Sequence, residues 1–442
     1  MRDSDRQLPV EFADRLTAPL ARFLRIHSAA GAALLLAAST AIALANSPWS
    51  ESFLAIWETP VGLTIGTLDF TRSLRHWINE GLLTLFFFLV ALELKRELSL
   101  GELRQWRMAV LPFAGSLGGM VVPVAVFLVV LGDADGAGGW GTVMATDTAL
   151  VVGCMALLGK RLPPWLRVFL LSLAVFDDIG AILVVAVAYT ESVSWGAFVL
   201  VVLGLVAVAV AARAGVRSVP VFAVLGVTIW FCAHASGIHP TVVGVVLGLM
   251  TPARPWVVDQ RLNAILAHLL ANPRGNAPSG EPRGRSDLVR AGIAINENLA
   301  PLERLEFGLH PWVGFLVMPL FALANAGVPV AAADMFAPVA FATFLGLVLG
   351  KPVGVIGFCW LAIRLGVARP MPAGQWPLLI GGSLLTGIGF TMSLFIAELA
   401  FAPTTVGSAK LGVLAASVTA ASAGIAVLLT NGGFRPVDLR GR

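Results

Sequence analysis

Apolar runs long enough to cross a bilayer recur along almost the whole chain, and no other feature of the sequence restricts the fold as strongly. A transmembrane helix needs roughly 20 mostly apolar residues. Such runs lie at 27–46, 79–95, 110–131, 143–158, 165–188, 195–212, 219–234, 239–251, 308–326, 339–364, 377–401 and 409–429. Lipid offers no partner to backbone N–H and C=O groups, so a segment in lipid must satisfy them internally. The expectation is an all-α polytopic membrane protein with twelve transmembrane helices. Of the 442 residues, 57% are hydrophobic and only 13% charged, against about 25% charged in a soluble domain. That balance excludes a soluble enzyme, a disordered chain and a nucleic-acid binder. Cys154, Cys232 and Cys359 stand far apart in apolar stretches, which argues against a disulfide framework or a thiolate metal site.

The basic residues set the orientation. With the N-terminus in the cytoplasm, and residues at span ends counted with the adjoining loops, 26 of the 30 Lys and Arg fall on the cytoplasmic side and 3 outside, with Lys351 deep inside a span. That asymmetry is the positive-inside rule, and a wrong span count would scramble it. Residues 1–26 then form a cytoplasmic N-terminal segment, 27–430 a twelve-helix domain and 431–442 a cytoplasmic tail. The first apolar run is too long for a signal-peptide core, so it is expected to be retained. Within the outer loop 47–78, residues Val61 to Phe70 alternate loosely and predict a short β-hairpin. The long cytoplasmic loop 252–307 holds an amphipathic helix at Trp256–Leu270 and a linker rich in Pro, Gly, Arg and Ser at Pro273–Arg285.

Four ionisable residues lie well inside spans: Asp147, Asp177, Asp178 and Lys351. Each costs roughly 2.5–3.5 kcal/mol at a helix centre, so four unpaired ones would cost on the order of 10–14 kcal/mol. They must therefore face one another or a watery cavity. Adjacent Asp177 and Asp178 point about 100° apart on a helix. One can meet Lys351 while the other lines a cavity. Three carboxylates and one ammonium carry net charge −2 when ionised. Such a cluster attracts small cations and protons, and crowded carboxylates oppose each other's ionisation. One sodium ion would half neutralise the cluster and two protons would fully neutralise it, so unequal, electrogenic exchange is expected.

The backbone around these residues is interrupted. Gly141-Thr-Val-Met-Ala-Thr-Asp-Thr148 opens the short fourth span, and Gly381-Gly-Ser-Leu-Leu-Thr-Gly-Ile-Gly-Phe-Thr-Met-Ser393 crosses the middle of the eleventh. Gly387, Gly389 and Thr391 mark the second break. Freed backbone at membrane depth is tolerated where it lines a cavity. The two breaks fall in the middle members of spans 3–5 and 10–12, which start on opposite sides of the membrane as inverted repeats require. The openings Leu117-Gly-Gly-Met-Val-Val-Pro123 and Leu349-Gly-Lys-Pro-Val-Gly-Val355 are faintly alike. Paired interrupted segments point to a transporter site.

Several motifs, in order from about residue 27 to 430, resemble the bacterial NhaA sodium/proton antiporters. They are Glu58-Thr-Pro60, Leu92-Glu-Leu-Lys-Arg-Glu-Leu98, Ala145-Thr-Asp147, Leu173-Ala-Val-Phe-Asp-Asp-Ile-Gly-Ala181, Ser236-Gly-Ile-His239, Leu309-His-Pro-Trp312, Leu349-Gly-Lys-Pro352 and Gly387-Ile-Gly-Phe-Thr-Met-Ser393. NhaA is among the transporters on which the rule about interrupted segments rests, so the rule is not independent support for the likeness. The resemblance implies exchange of sodium or lithium for protons across the inner membrane, for pH and sodium homeostasis, with sodium at Asp177 and Asp178. It implies that Asp178 is the main cation ligand and proton carrier, Asp177 the partner of Lys351, and Asp147 with Thr146 a neighbour on the broken fourth helix. It implies charge balance by Lys351 and pH regulation by Glu93, Arg96 and Glu97, and it points to a homodimer. A strand edge at 61–70 offers that dimer a contact. Glu80, Glu303 and Glu398 depart from the family pattern. His27, His76, His234, His268 and His310 are scattered along the chain and His239 sits at a short loop, so no metal site is expected.

Two other classes fit less well. A cation channel needs a ring of equivalent carbonyls or charges, and a single asymmetric cluster containing a lysine would obstruct a pore. An intramembrane aspartyl protease needs two carboxylates sharing a proton. Asp147 and Asp178 would leave Asp177, Lys351 and the second break without a purpose. No P-loop motif for ATP is present, and transport needs no cofactor; membrane lipid and the transported ions are the expected partners, without nucleic acid.

Overall fold

A computed structural model of the chain describes residues 27–62, 64–65, 68–69, 71–99, 101, 106–190, 194–216, 218–255, 259–271, 283–330, 332–369, 371 and 374–431. The expected N-terminal segment 1–26, most of the linker 273–285 and the tail from 432 lie outside them. The helices in chain order are α1 (His27–Ala45), α2 (Ser50–Glu58), α3 (Leu74–Ser99), α4 (Trp106–Leu131), α5 (Thr148–Leu158), α6 (Pro164–Ala188), α7 (Trp195–Arg213), α8 (Val219–Ser236), α9 (Thr241–Met250), α10 (Asp259–Ala271), α11 (Arg283–Asn298), α12 (Pro301–Asn325), α13 (Ala332–Met335), α14 (Pro338–Arg364), α15 (Trp376–Thr386), α16 (Phe390–Ala400) and α17 (Val406–Asn431). A stretch of 3-10 helix, Ala137–Val143, precedes α5.

Among the described residues, 9 helical segments are long and apolar enough to span a membrane, or up to 11 with two bent pairs counted as single spans. The protein is a polytopic membrane protein. The two bent pairs differ in kind. The pair α15 and α16 bends by 43° and keeps its direction through the layer, whereas α1 and α2 meet at 117° and turn back. The long loop contains a second helix, α11, that the polar composition of 283–298 concealed. Its Ala291 and Ala294 stand three positions apart, on one face of the helix, and both are buried.

The main core gathers α1, α3, α5, α6, α12 and α14 to α17 around Phe87, Phe321, Leu347 and Phe395. A separate small core joins α7, α8 and α9 through Val201, Val208, Ile229, Ala233 and Val243. Large apolar side chains elsewhere on α7 and α8, such as Leu203, Val206, Val224 and Val227, are exposed. Lipid replaces water as their solvent, so exposure there carries no hydrophobic penalty.

Helices α4 and α14 cross with their backbones touching. A Cβ on Gly118 would fall 2.1 Å from the Gly354 carbonyl oxygen, and one on Gly354 equally close to the Gly118 oxygen. Small residues permit this approach in lipid, where packing rather than water exclusion drives association. A π-helical turn, Gly346–Gly350, directly precedes Lys351 on α14. Such turns rotate the side chains that follow them. Between α2 and α3 the chain forms a small antiparallel ribbon. Pro60 and Val61 pair with Ser73 and Arg72, and Thr64 and Ile65 pair with Asp69 and Leu68.

Candidate functional site: two helix breaks around a buried charge cluster

The break before α5 is an extended stretch at 145–147, and the break between α15 and α16 spans Gly387 to Gly389. The two breaks meet. The Asp147 N–H donates to the Ile388 carbonyl at 2.7 Å. Asp147 Oδ1 accepts from the Leu150 N–H at 3.0 Å, and Oδ2 accepts from the Thr391 N–H at 3.0 Å and the Thr391 hydroxyl at 2.5 Å. One carboxylate therefore caps the N-termini of α5 and α16 together. Both ends carry unmet N–H groups and partial positive charge, which an anion offsets. Ser417 on α17 takes the Phe390 N–H at 3.1 Å, which completes the cap of α16. Gly387 is required by space rather than by its dihedrals, since a Cβ there would meet the Leu347 carbonyl oxygen at 2.6 Å.

The opposite ends of the breaks expose carbonyls to cationic and hydroxyl donors. Lys351 Nζ donates to the Met144 carbonyl and lies 3.1 Å from Asp177 Oδ2. Thr146 Oγ1 lies 2.6 Å from Asp177 Oδ2 and 3.0 Å from the Thr386 carbonyl, so its single proton serves one of them at a time. Ser116 on α4 donates to Asp177 Oδ1 at 2.7 Å. Asp177 and Lys351 are both 0% exposed. A buried ion pair holds only where hydrogen bonds satisfy the remaining lone pairs and protons, and here both Asp177 oxygens are occupied.

Asp178, the next residue on α6, is placed differently. Its Oδ2 accepts from the Thr148 hydroxyl at 3.2 Å. Among the described residues, its buried Oδ1 has no hydrogen-bond partner. A buried carboxylate with one oxygen unmet calls for a proton or a cation. Asp178 is the one acid of the three with that unmet capacity.

The family profile described as Na+/H+ antiporter 1 matches residues 21–428 of this chain. The Na(+)/H(+) antiporter NhaA of Rhizobium meliloti (strain 1021) is 55% identical over 97% of this chain and 98% of its own. The Na(+)/H(+) antiporter NhaA 2 of Acidiphilium cryptum (strain JF-5) is 55% identical over 96% of this chain and 94% of its own. The Na(+)/H(+) antiporter NhaA 2 of Vibrio vulnificus (strain CMCP6) is 48% identical over 96% and 94%. The chain belongs to the NhaA Na+/H+ antiporter family.

The expected NhaA site residues fall into two groups in this fold. Asp177, Asp178, Thr146, Lys351 and Asp147 surround the crossing, with Gly387, Gly389 and Thr391 supplying the second break. Glu93, Arg96 and Glu97 lie together near the other end of α3. There Arg96 pairs with Glu306 and lies 3.5 Å from Glu97, while Glu93 lies 3.7 Å from His310 Nδ1. Glu306 and His310 on α12 thus join Glu93, Arg96 and Glu97 in this cluster, and Glu306 stands in none of the sequence motifs. Ser116 and Ser417 join the site without any mark in the sequence, whereas Thr148 and the carbonyls of Met144, Thr386 and Ile388 lie within the two interrupted motifs, which do not say what each group contacts. Hydroxyls in apolar helices are common, and backbone groups carry no sequence signal. Of the departures from the NhaA pattern, Glu398 contacts Lys410 and lies 3.4 Å from Arg75, which in turn lies 3.3 Å from Glu58. Glu80 meets two histidines that stand far apart in sequence.

Proposed function

We propose that this chain exchanges sodium ions, with lithium as an alternative, for protons across a bacterial inner membrane. The observation that carries the reading is Asp178, a buried carboxylate with one open oxygen, beside a fully engaged Asp177–Lys351 pair at the crossing of two helix breaks. Asp178 alternates between protonation and sodium ligation, because both neutralise the same charge. Entry of sodium draws Asp177 away from Lys351, and the ammonium then leans on the Met144 carbonyl it already contacts. Protons return as sodium leaves. Two sites that exchange protons against one sodium make the cycle electrogenic. The Glu93, Arg96, Glu97, Glu306 and His310 cluster tunes access with pH, because it brings carboxylates, a guanidinium and an imidazole close enough that a change of charge on one is felt by the others.

The twelve spans of this reading comprise the nine long helices, α1, the bent pair of α15 and α16, and the short α9. The inverted repeats are 3–5 and 10–12, and the matched Gly118 and Gly354 contact between the first helix of each supports a two-fold relation. Both termini lie in the cytoplasm, which the distribution of Lys and Arg supports. The ribbon at 60–73 pairs with its copy in a homodimer, because each two-stranded piece has a further backbone edge to offer.

The roles of Asp147 favour this reading over a protease. Both its oxygens are used as helix caps, so it does not share a proton with Asp178. The test is acidification of everted vesicles followed by sodium or lithium. Dye dequenching on cation addition is expected with the parent protein and not with empty vesicles. Sodium conductance without proton movement would replace the antiporter by a channel.

A further inference from the structure

Outside the transport site, the fold brings three metal-type ligands to one point. His76 and Glu80 stand near the start of α3, and His234 near the end of α8. Glu80 Oε2 lies 3.2 Å from His76 Nε2 and 3.0 Å from His234 Nδ1, and the three ligand atoms all lie within 4.8 Å of one another. We propose that His76, Glu80 and His234 form a binding site for a divalent transition metal ion, with zinc the ion that fits best.

The geometry carries the proposal. Zinc bound at about 2.0–2.1 Å by nitrogen and oxygen ligands in a tetrahedron sets neighbouring ligand atoms about 3.3 Å apart. The two Glu80 distances are within a few tenths of an ångström of that edge. Among the described residues, the buried His76 Nε2 has no hydrogen-bond partner although it lies close to Glu80. Its lone pair is therefore not aimed along the line to Glu80, which is how ligands around a common centre behave. Two histidines and one carboxylate are a zinc donor set that leaves a fourth position for water. The side chains of His76, Glu80 and His234 are 33%, 14% and 19% exposed, so none of the three is sealed in the core.

The surroundings hold the ligands in place. The His234 ring stacks on Trp230 at 6.0 Å and 7°, and Trp230 stacks in turn on Trp77 at 5.9 Å and 20°. Trp230 donates to the Thr84 hydroxyl at 2.9 Å, and that hydroxyl donates to the Glu80 carbonyl at 2.5 Å. Trp77 donates to the Val61 carbonyl at 2.8 Å, which ties the site to the ribbon. Ligands fixed by supporting contacts lose less freedom on binding. An ion here would join α3 to the α7–α9 unit, which has its own small core. The expected consequences are greater stability and less relative movement of these helices. Transport itself would continue, because none of the three residues touches the Asp178 crossing.

The experiment uses the full chain, purified without a histidine tag, stripped with chelator and equilibrated with zinc chloride. Bound zinc is measured by elemental mass spectrometry, and cobalt is substituted to record its visible spectrum. The expected results are about one zinc per chain, an intense tetrahedral cobalt band and a zinc-dependent rise in Tm. His234→Gln and Glu80→Gln should each lose these while keeping metal-free exchange. His76→Gln serves as the third variant should either fail to fold. No zinc retained by the parent overturns the proposal. So does equal binding by parent and folded variants, which would place the ion elsewhere.

Discussion

Replacing Asp147 with Ala removes the carboxylate that caps both broken helices at the crossing. Its carboxylate caps α5 through Leu150 and α16 through Thr391. Loss of an N-cap costs about 1 kcal/mol. Removing a negative charge from a helix N-terminus costs a further ~0.3–1 kcal/mol. Two ends give roughly 2.5–4 kcal/mol. Relief from burying a carboxylate works in the opposite direction, so the expected loss is about 2–3 kcal/mol. Asp147→Asn keeps one carbonyl oxygen and should lose about half as much, because its amide nitrogen cannot accept from the second helix end. The assay is detergent-titrated unfolding of purified protein followed by circular dichroism. A cycle with Thr391→Ala should show coupling of about 0.5–3 kcal/mol, since the two side chains share a hydrogen bond. Asp147→Ala within about 0.5 kcal/mol of the parent would refute the double-cap account.

Asp178→Asn should abolish sodium-dependent dequenching in everted vesicles while leaving detergent-solubilised protein folded, because an amide keeps the shape but cannot ionise; near-normal exchange would remove Asp178 from its proposed role. Lys351→Ala should lower stability by about 3–5 kcal/mol, read by the same unfolding assay, because it leaves Asp177 buried without its countercharge. A loss below about 1 kcal/mol would mean that Ser116 and Thr146 suffice to hold Asp177. Exchange in sealed vesicles should change with imposed membrane potential, and an unchanged rate would exclude an unequal proton-to-sodium ratio. Deleting residues 62–70 should convert the proposed dimer to a monomer on light scattering with exchange retained, because the charge cluster lies within one chain; an intact dimer would remove the ribbon as its contact.

Much of this protein was determined by the sequence alone. Lipid leaves the backbone no external partners, so long apolar runs had to become helices, and the fold class followed from hydropathy. Charges are costly in those runs, so Asp147, Asp177, Asp178 and Lys351 stood out one by one. The two glycine-rich interruptions stood out because they break a periodic pattern. The hydropathy signal does not report how helices approach each other. The NhaA resemblance gave the three aspartates different roles, but only the tertiary structure decided their contacts, by making Asp147 a cap for two helices, Asp177 a saturated ion-pair partner and Asp178 the acid with an open oxygen. Several of the partners behind those differences lie more than a hundred positions away, such as Ile388 and Thr391 against Asp147 and Lys351 against Asp177. The same is true of His234, which reaches Glu80 across 154 positions. Spacing along the chain carries the cost of a buried charge, but the partner that offsets it is chosen by helix packing.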